Sequence, residues 1–406
     1  MRTRLARRLL AGAFGLLALT GLPYLVYAVA MRLLDTDRRP VEPEDGRDAT
    51  DGGGHGWEPT VSVVIPTYDE ADIVETKLAD VLALDYPMEK VEVVIADASD
   101  DATPEVVRAF FEGREAPTVT LLHDDERRGV APALNEAFAR AGGEVIFRTD
   151  ADSTLAPDVL RAATETLADP EIGAVTGRQT DVLGDSEVEA DYRGILARLQ
   201  ALETRLDSTF IFHGPCFAFR REEFRPIPGD TIADDTATAL AIRRAGKRVV
   251  MDPALRFTES GVSAFGDRRL RKDRRAMGLL QVLVRNRDVL GRFGRYGTVV
   301  LPFNWWFMLV SPWLLAGAAT LATLGLAALA PPLGLAVPVG IAAVLALGGR
   351  EALGPLQPAY AVLDAQASLL IASIRLALAD ETGVWELDRE SREAFERGRE
   401  NDRERE

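Results

Sequence analysis

The sequence predicts an α/β fold with a mostly parallel sheet, set between membrane helices toward either end of the chain. Two observations carry that prediction. Between residues 60 and 265, short β-branched runs alternate with longer stretches of helical period, and the runs are apolar throughout, as strands covered on both faces require. Outside this region charge disappears: Leu9 to Met31 is a 23-residue run without a charge, and Tyr296 to Gly349 is a 54-residue one. Either is long enough to cross a bilayer.

The first apolar run is flanked by Arg7 and Arg8 on one side and Arg32 on the other. It exceeds an ordinary signal-peptide core, and no small-x-small cleavage site follows, so residues 1–34 read as a retained anchor. Residues 35–59, rich in Asp, Gly and Pro without apolar period, read as a flexible acidic linker. Strands are expected at VSVVIPT (61–67), VEVVIAD (91–97), VTLLHD (119–124), EVIFRTD (144–150) and GAVTGR (173–178). Helices are expected over 70–83, 103–112, 130–141 and 156–168. The domain they form runs from 60 to 265. A basic, interfacial helical segment, 266–296, follows. Within it RRLRKDRRAMG (268–278) carries six basic residues and one acidic, and Arg268 to Arg295 carries ten and two. That is the charge expected of a cytoplasmic helix on anionic lipid headgroups. Residues 297–349 break at Pro331-Pro332 and read as a transmembrane hairpin. Residues 350–379, interrupted by Asp364, Gln366 and Arg375, read as an amphipathic helix or a third membrane segment. The charged tail, 380–406, reads as solvated.

The formal net charge is -16, with 43 Arg against four Lys. Dense carboxylates keep a surface hydrated at high salt, so the composition suggests a halophilic source. It argues against nucleic acid as the main partner, because phosphate neutralisation needs clustered cations. Cys216 is the only cysteine, which excludes an intramolecular disulfide and suits a reducing cytosolic face.

Ligands of parallel α/β sheets bind beyond the carboxyl ends of the strands. The residues found there are Thr67, Tyr68 and Glu70 after the first strand, Asp97 at the end of the second, and Asp150-Ala151-Asp152 after the fourth; Asp234 and Asp235 open a later amphipathic helix. Carboxylates gathered at one sheet edge repel one another and call for a cation or a donor-rich ligand. D-x-D on an extended segment sends one carboxylate toward a metal and the other toward a sugar hydroxyl. An Mg²⁺ or Mn²⁺ ion carrying a diphosphate would complete its octahedron with phosphate oxygens and water.

Together these residues resemble family 2 of the glycosyltransferases, the inverting, GT-A type (nucleotide-diphospho-sugar transferase) fold of the hyaluronan- and cellulose-synthase-like enzymes. VSVVIPTYDEAD is similar to the family's first strand and loop, so the resemblance implies that Thr67, Tyr68 and Glu70 border the nucleoside. ADASDDAT is similar to D-D-x-S-x-D-x-T, implying that Asp97 binds the base, with Ala96 replacing the first acid. RRGVAPALNEAF is similar to G-K-A-x-A-L-N, with Val130 at the lysine; its charge must then come from elsewhere, with Arg127 and Arg128 the candidates. D-x-D implies Asp150 on the nucleotide sugar and Asp152 on the metal. IADDTATALAIRRAG is similar to E-D-x-x-L-x-x-R-x-x-x-G, implying Asp235 as catalytic base and Asp234 beside diphosphate and acceptor. The chain-building members carry Q-x-x-R-W before their membrane helices; here those positions are Arg271, Arg274 and Arg275. Arginine forks in place of glutamine and tryptophan suit phosphate more than a sugar platform. His213 and Cys216 read as packing residues, since nothing completes a catalytic triad with them.

The resemblance implies a multi-pass enzyme of the cell membrane with a cytoplasmic catalytic domain. It would move a sugar from a nucleotide-diphosphate donor to a lipid-linked or growing glycan acceptor, with membrane lipids as further partners. A processive polysaccharide synthase, a polyprenyl-phosphate sugar synthase and an inactive nucleotide-sugar-binding membrane scaffold are the alternatives. One conflict arises: Arg2, Arg4, Arg7 and Arg8 favour a cytoplasmic N-terminus, yet one span after them would place the domain outside. Either the charge rule fails here or the first segment lies in the interface.

Overall fold

The computed structural model describes residues 2–33, 57–183, 187–260, 265–350 and 352–378. Residues 35–56 of the expected linker and the whole expected tail, 380–406, lie outside the described residues.

Strands β1 (Val61–Thr67) and β2 (Val91–Asp97) fall on the predicted bounds, and β3 (Thr118–His123) and β4 (Val145–Arg148) fall within a few residues of them. β1 pairs in parallel with β2 and β4, and β2 with β3. Beyond β4 come β7 (Phe217–Arg220), β6 (Ile172–Leu183), β8 (Arg248–Ser260) and β5 (Ser153–Leu155), giving the order β3-β2-β1-β4-β7-β6-β8-β5. β7 is antiparallel to β4 and β6, β6 is parallel to β8, and β5 is antiparallel to β8. Six of the eight strands therefore share one direction, and only β5 and β7 oppose it.

The continuous apolar runs have a physical cause. Val63 and Ile65 of β1 enter one core with Leu78 of α2 (Val74–Leu82), Val107 of α3 (Thr103–Phe111) and Leu160 of α5 (Val159–Leu167). Val64 points the other way, into a core with Leu134 and Phe138 of α4 (Val130–Arg140) and Ile242 of α7 (Asp234–Arg244). With both faces covered, successive residues are all buried.

A third core joins this domain to the C-terminal helices: Met277, Leu280 and Leu283 of α8 (Phe265–Arg285) pack with Val300, Leu301, Met308, Leu369 and Ala372. The joint also has a polar pin. Glu203 of α6 (Glu187–Leu206), buried, accepts hydrogen bonds from Asn304 Nδ2 at 2.7 Å, Thr209 Oγ1 at 2.9 Å and the Phe210 amide at 3.0 Å. Burial pushes its carboxyl up to about 7, against these three donors.

Among the described residues, four helices are long and apolar enough to cross a membrane: Arg2–Tyr27, Tyr296–Leu329, Pro331–Gly348 and Ala359–Leu378. The first lies within α1 (Arg2–Leu33). The second joins α9 (Leu301–Trp305) and α10 (Ser311–Leu329) through wider turns at 296–300 and 306–310. Pro331–Leu335 forms the turn into α11 (Ala336–Gly348), and α12 (Gln357–Leu378) follows. Two of the polar residues of α12 bond to other helices: Asp364 takes a bond from Lys272 Nζ at 3.2 Å, and Gln366 Nε2 donates to Tyr24 Oη at 3.1 Å.

α1 runs antiparallel to the Tyr296–Leu329 helix. Leu10 fits against Gly325, Leu321 against Gly12 and Leu16 against Gly317, while Tyr27 stacks on Phe303 at 3.4 Å between centroids. The end of α1 near Tyr27 thus meets Leu202 of α6, on the sheet side of the bundle.

Candidate active site

The ends of β1, β2 and β3 converge on one carboxylate. Asp97, 1 % exposed, accepts Thr67 Oγ1 at 2.7 Å and Ser99 Oγ at 2.5 Å on Oδ1, and His123 Nδ1 at 2.6 Å on Oδ2. Parallel pairing at equal height makes this possible, since Thr67 lies beside Asp97 and Asp97 beside His123 in the register. The loop after Thr67 is tied to the loop after Asp97: the Asp69 amide donates to Ser99 Oγ at 2.8 Å and the Glu70 amide to Thr103 Oγ1 at 2.9 Å. Tyr68 stacks under the Arg127 guanidinium, 3.9 Å from its ring centroid. Arg128 is engaged elsewhere, with Asp124 and Glu136. Of the two candidates for the missing lysine charge, Arg127 is therefore the one beside the β1 loop. Gly129, at φ +96°, turns the chain into α4 through backbone that favours glycine.

A second group gathers one strand over. Asp150 follows β4, and Asp234 opens α7. Between them lies Arg148, 3 % exposed, with Nη2 2.8 Å from Asp150 Oδ1 and 3.6 Å from Asp234 Oδ2. Burial works against its charge, and the fields of Asp150, Asp234, Asp235 and Asp152 more than offset it. Asp235 Oδ1 accepts the Thr236 amide at 2.6 Å. Its accessible surface is intermediate, yet protein encloses it deeply enough that desolvation, then the charge of Asp234, pushes its carboxyl up to about 6. Asp234, buried, is raised as well, by burial first.

The D-x-D turn is held from behind. Lys77 of α2, with no exposed surface, donates to the Ser153 carbonyl at 2.8 Å and pairs with Asp80 at 3.3 Å, while Asp80 accepts the Leu155 amide at 3.2 Å. Burial pulls the Lys77 pKa down, and Asp80 is the main influence opposing it. Ser153 Oγ in turn donates to the Asp150 carbonyl at 2.9 Å.

Among the described residues no three His, Cys, Asp or Glu side chains form a metal cage. Carboxylates at a sheet edge fit an ion of the Mg²⁺ class, which takes one or two carboxylates and draws its other ligands from phosphate and water. The groove between α10 and α11, lined by Ala319, Thr323, Pro338 and Ile341 among others, has no titratable group and lies apart from this chemistry.

A family model described as Glycosyl transferase family 2 matches residues 62–227, and one described as Glycosyl transferase family group 2 matches 145–347. Among solved structures, a mannosyltransferase from Pyrobaculum calidifontis, PcManGT, in complex with GDP-Man and Mn²⁺, is 34% identical, with a TM-score of 0.72 over 92% of this chain and 100% of that one. The chain belongs to glycosyltransferase family 2. An N-acetylglucosaminyltransferase of Rhizobium meliloti is 28% identical over 214 residues, 48% of this chain and 50% of that protein. A poly-beta-1,6-N-acetyl-D-glucosamine synthase of Staphylococcus aureus is 26% identical over 202 residues, 48% of each. The chain spans about half the length of the curated relatives it matches.

In this family 2 chain, α8 carries the Q-x-x-R-W positions. Arg274 and Arg275 lie within the electrostatic reach of Asp234 and Asp235 respectively, and Arg275 Nη2 is 3.8 Å from Glu259. The Arg271 side chain lies outside the described residues. α8 also shapes the approach to Asp234: at Gly278 a Cβ would sit 2.9 Å from the Ala233 nitrogen, and Gln281 Oε1 accepts the Ile232 amide at 3.0 Å. Sequence reasoning passed over Arg148, Lys77, His123 and Gln281. Two of them left a signal: Arg148 is a charge ending an apolar strand, and Lys77 is one of only four lysines beside 43 arginines. His213 and Cys216 are buried; burial lowers the His213 pKa to about 3 and raises that of Cys216. Neither is poised as base or nucleophile.

Proposed function

We propose that the chain is a membrane-bound, inverting glycosyltransferase that moves a sugar from a nucleotide-diphosphate donor to a lipid-linked or growing glycan acceptor. The observation that carries this reading is the meeting of Asp150, Asp234 and Asp235 around Arg148, one strand away from the Asp97 cluster. Thr67, Tyr68, Glu70 and Asp97 line the nucleoside side, with Asp150 toward the sugar. Asp152 would hold Mg²⁺ or Mn²⁺ together with diphosphate oxygens, and such an ion neutralises charge on the leaving group. Arg274 and Arg275 add positive potential for the diphosphate, with Asp234 between it and the acceptor. Asp235 takes the acceptor hydroxyl proton as oxygen bonds to the anomeric carbon; a single displacement inverts the configuration. With its carboxyl near 6, Asp235 is ionised at neutral pH and more basic than an exposed aspartate.

GDP-mannose, present in the related solved structure, is the first donor to try. Membranes containing the chain, given radiolabelled nucleotide sugars and Mn²⁺, are expected to yield labelled lipid-linked sugar or extended lipid-linked glycan. High-mass polymer would favour the second reading, a processive synthase, which the Staphylococcus aureus relative supports by its name. Nucleotide binding without any transfer would leave only a scaffold.

The sheet domain would face the cytosol in a multi-pass protein. If α1 and the Tyr296–Leu329 helix both span, their antiparallel pairing puts the N-terminus on the face opposite the sheet domain. The ten basic residues of 268–295 then outnumber Arg2, Arg4, Arg7 and Arg8, which supports a cytosolic domain. Reporter fusions check this: one at the N-terminus should report the outer face and one at residue 45 the cytosol. Both on one face would contradict it.

A further inference from the structure

We propose that Arg148 is a built-in counter-cation, which ties Asp150 to Asp234 and keeps the carboxylate cluster from holding a divalent ion until a diphosphate arrives. The proposal rests on the transferase reading for its function but on the geometry alone for the tie. Both oxygens of Asp150 lie against the guanidinium, Oδ1 at 2.8 Å from Nη2 and Oδ2 at 3.4 Å from Nη1, and the same Nη2 is 3.6 Å from Asp234 Oδ2. The group is buried where an uncompensated charge would be strongly destabilising. The backbone is shaped around it: at Gly214 a Cβ would fall 1.7 Å from Nη1, so any larger residue displaces the guanidinium.

Without a diphosphate, an ion at Asp152 would need a second carboxylate of the cluster, and the nearest in sequence, Asp150, has both oxygens against the guanidinium. Four carboxylates at one sheet edge would otherwise draw in a divalent ion by charge alone. With the fork in place, an ion gains enough ligands only when diphosphate oxygens join it, since Mg²⁺-class ions need six oxygens in near-ideal geometry. Metal and donor would then enter together. Arg148 is thus a positioning residue, acting through Asp150 and Asp234.

The test is a titration of the detergent-purified full chain with Mn²⁺, followed by the electron paramagnetic resonance signal of the free ion, alone and with GDP or UDP. In the unaltered chain Mn²⁺ alone should bind weakly, and at least tenfold more tightly with one of the diphosphates. Arg148→Met should tighten binding of Mn²⁺ alone at least tenfold while kcat falls. A purely structural role moves both the same way, so unchanged or weakened Mn²⁺ binding in a folded Arg148→Met chain overturns the proposal. Should that variant fail to fold, Arg148→Lys decides: one ammonium cannot span both carboxylates, so Mn²⁺ alone should bind at least threefold more tightly, and no gain overturns the proposal. The two claims separate cleanly. Tightened Mn²⁺ binding in a chain that transfers nothing supports the counter-cation against the transferase reading, and transfer with unaltered Mn²⁺ affinity in Arg148→Met does the reverse.

Discussion

Asp235→Asn is expected to slow sugar transfer by about 10²–10⁴-fold, the usual contribution of a positioned general base, while nucleotide binding persists. The substitution is nearly isosteric, and an amide oxygen can still accept the Thr236 amide that now bonds Oδ1. What is lost is the basicity. As the proposed base, the same carboxyl is expected to set the acid limb of the rate. Burial and the charge of Asp234 hold it near 6, and only the ionised form accepts a proton. The kcat/KM of the unaltered chain should therefore fall about tenfold per pH unit below 6. The sign for stability is opposite: between the ordinary aspartate value of 3.8 and about 6 the folded chain holds a proton the unfolded one has lost, so stability falls as pH rises through that window. Asp235→Asn should remove the acid limb and this carboxyl's share of the stability change, leaving the shares of Asp234 and Glu203. Full activity in that variant would remove Asp235 from the mechanism.

Asp152→Ala is expected to abolish the Mn²⁺ dependence of nucleotide binding, weakening binding of the nucleoside diphosphate in the presence of the metal on the order of 100-fold. Loss of a second-sphere partner alone costs metal affinity about 10–100-fold, and a direct ligand should cost no less. Binding without metal should change little, because the proposed nucleoside side, built on Thr67 and Asp97, stands on other strands. Calorimetry with and without Mn²⁺ checks the difference, and equal affinity in the two chains would remove Asp152 from the metal site.

The parts of this fold that were legible in the sequence share a physical cause. β1 and β2 are buried on both faces, so their boundaries coincide with unbroken apolar runs. β5 and β7, at three and four residues, are too short to show any period. β8 carries Asp252 and Pro253 inside it, residues that read as a turn, and the sheet accommodates them through irregular register against β6.

The acidic positions were legible because strand ends locate them: Asp97, Asp150 and Asp152 follow runs that announce themselves. Arg148, Lys77 and His123 were not, because their significance lies in neighbours 26 to 86 positions away, such as Asp97 for His123, Ser153 for Lys77 and Asp234 for Arg148. A lysine on an amphipathic helix reads as solvated until the fold shows it enclosed. Nothing in the sequence distinguishes Arg127 from Arg128 either; the fold lays Tyr68 beneath one and Asp124 beside the other.

A single displacement assisted by Asp235 as base inverts the anomeric centre, so the configuration of the first sugar transferred distinguishes it from a double displacement. Proton NMR of the product, formed from a donor of known configuration, should show the opposite anomer. Retention of configuration would exclude the single displacement, because retention requires a second displacement that Asp235 acting as base does not provide.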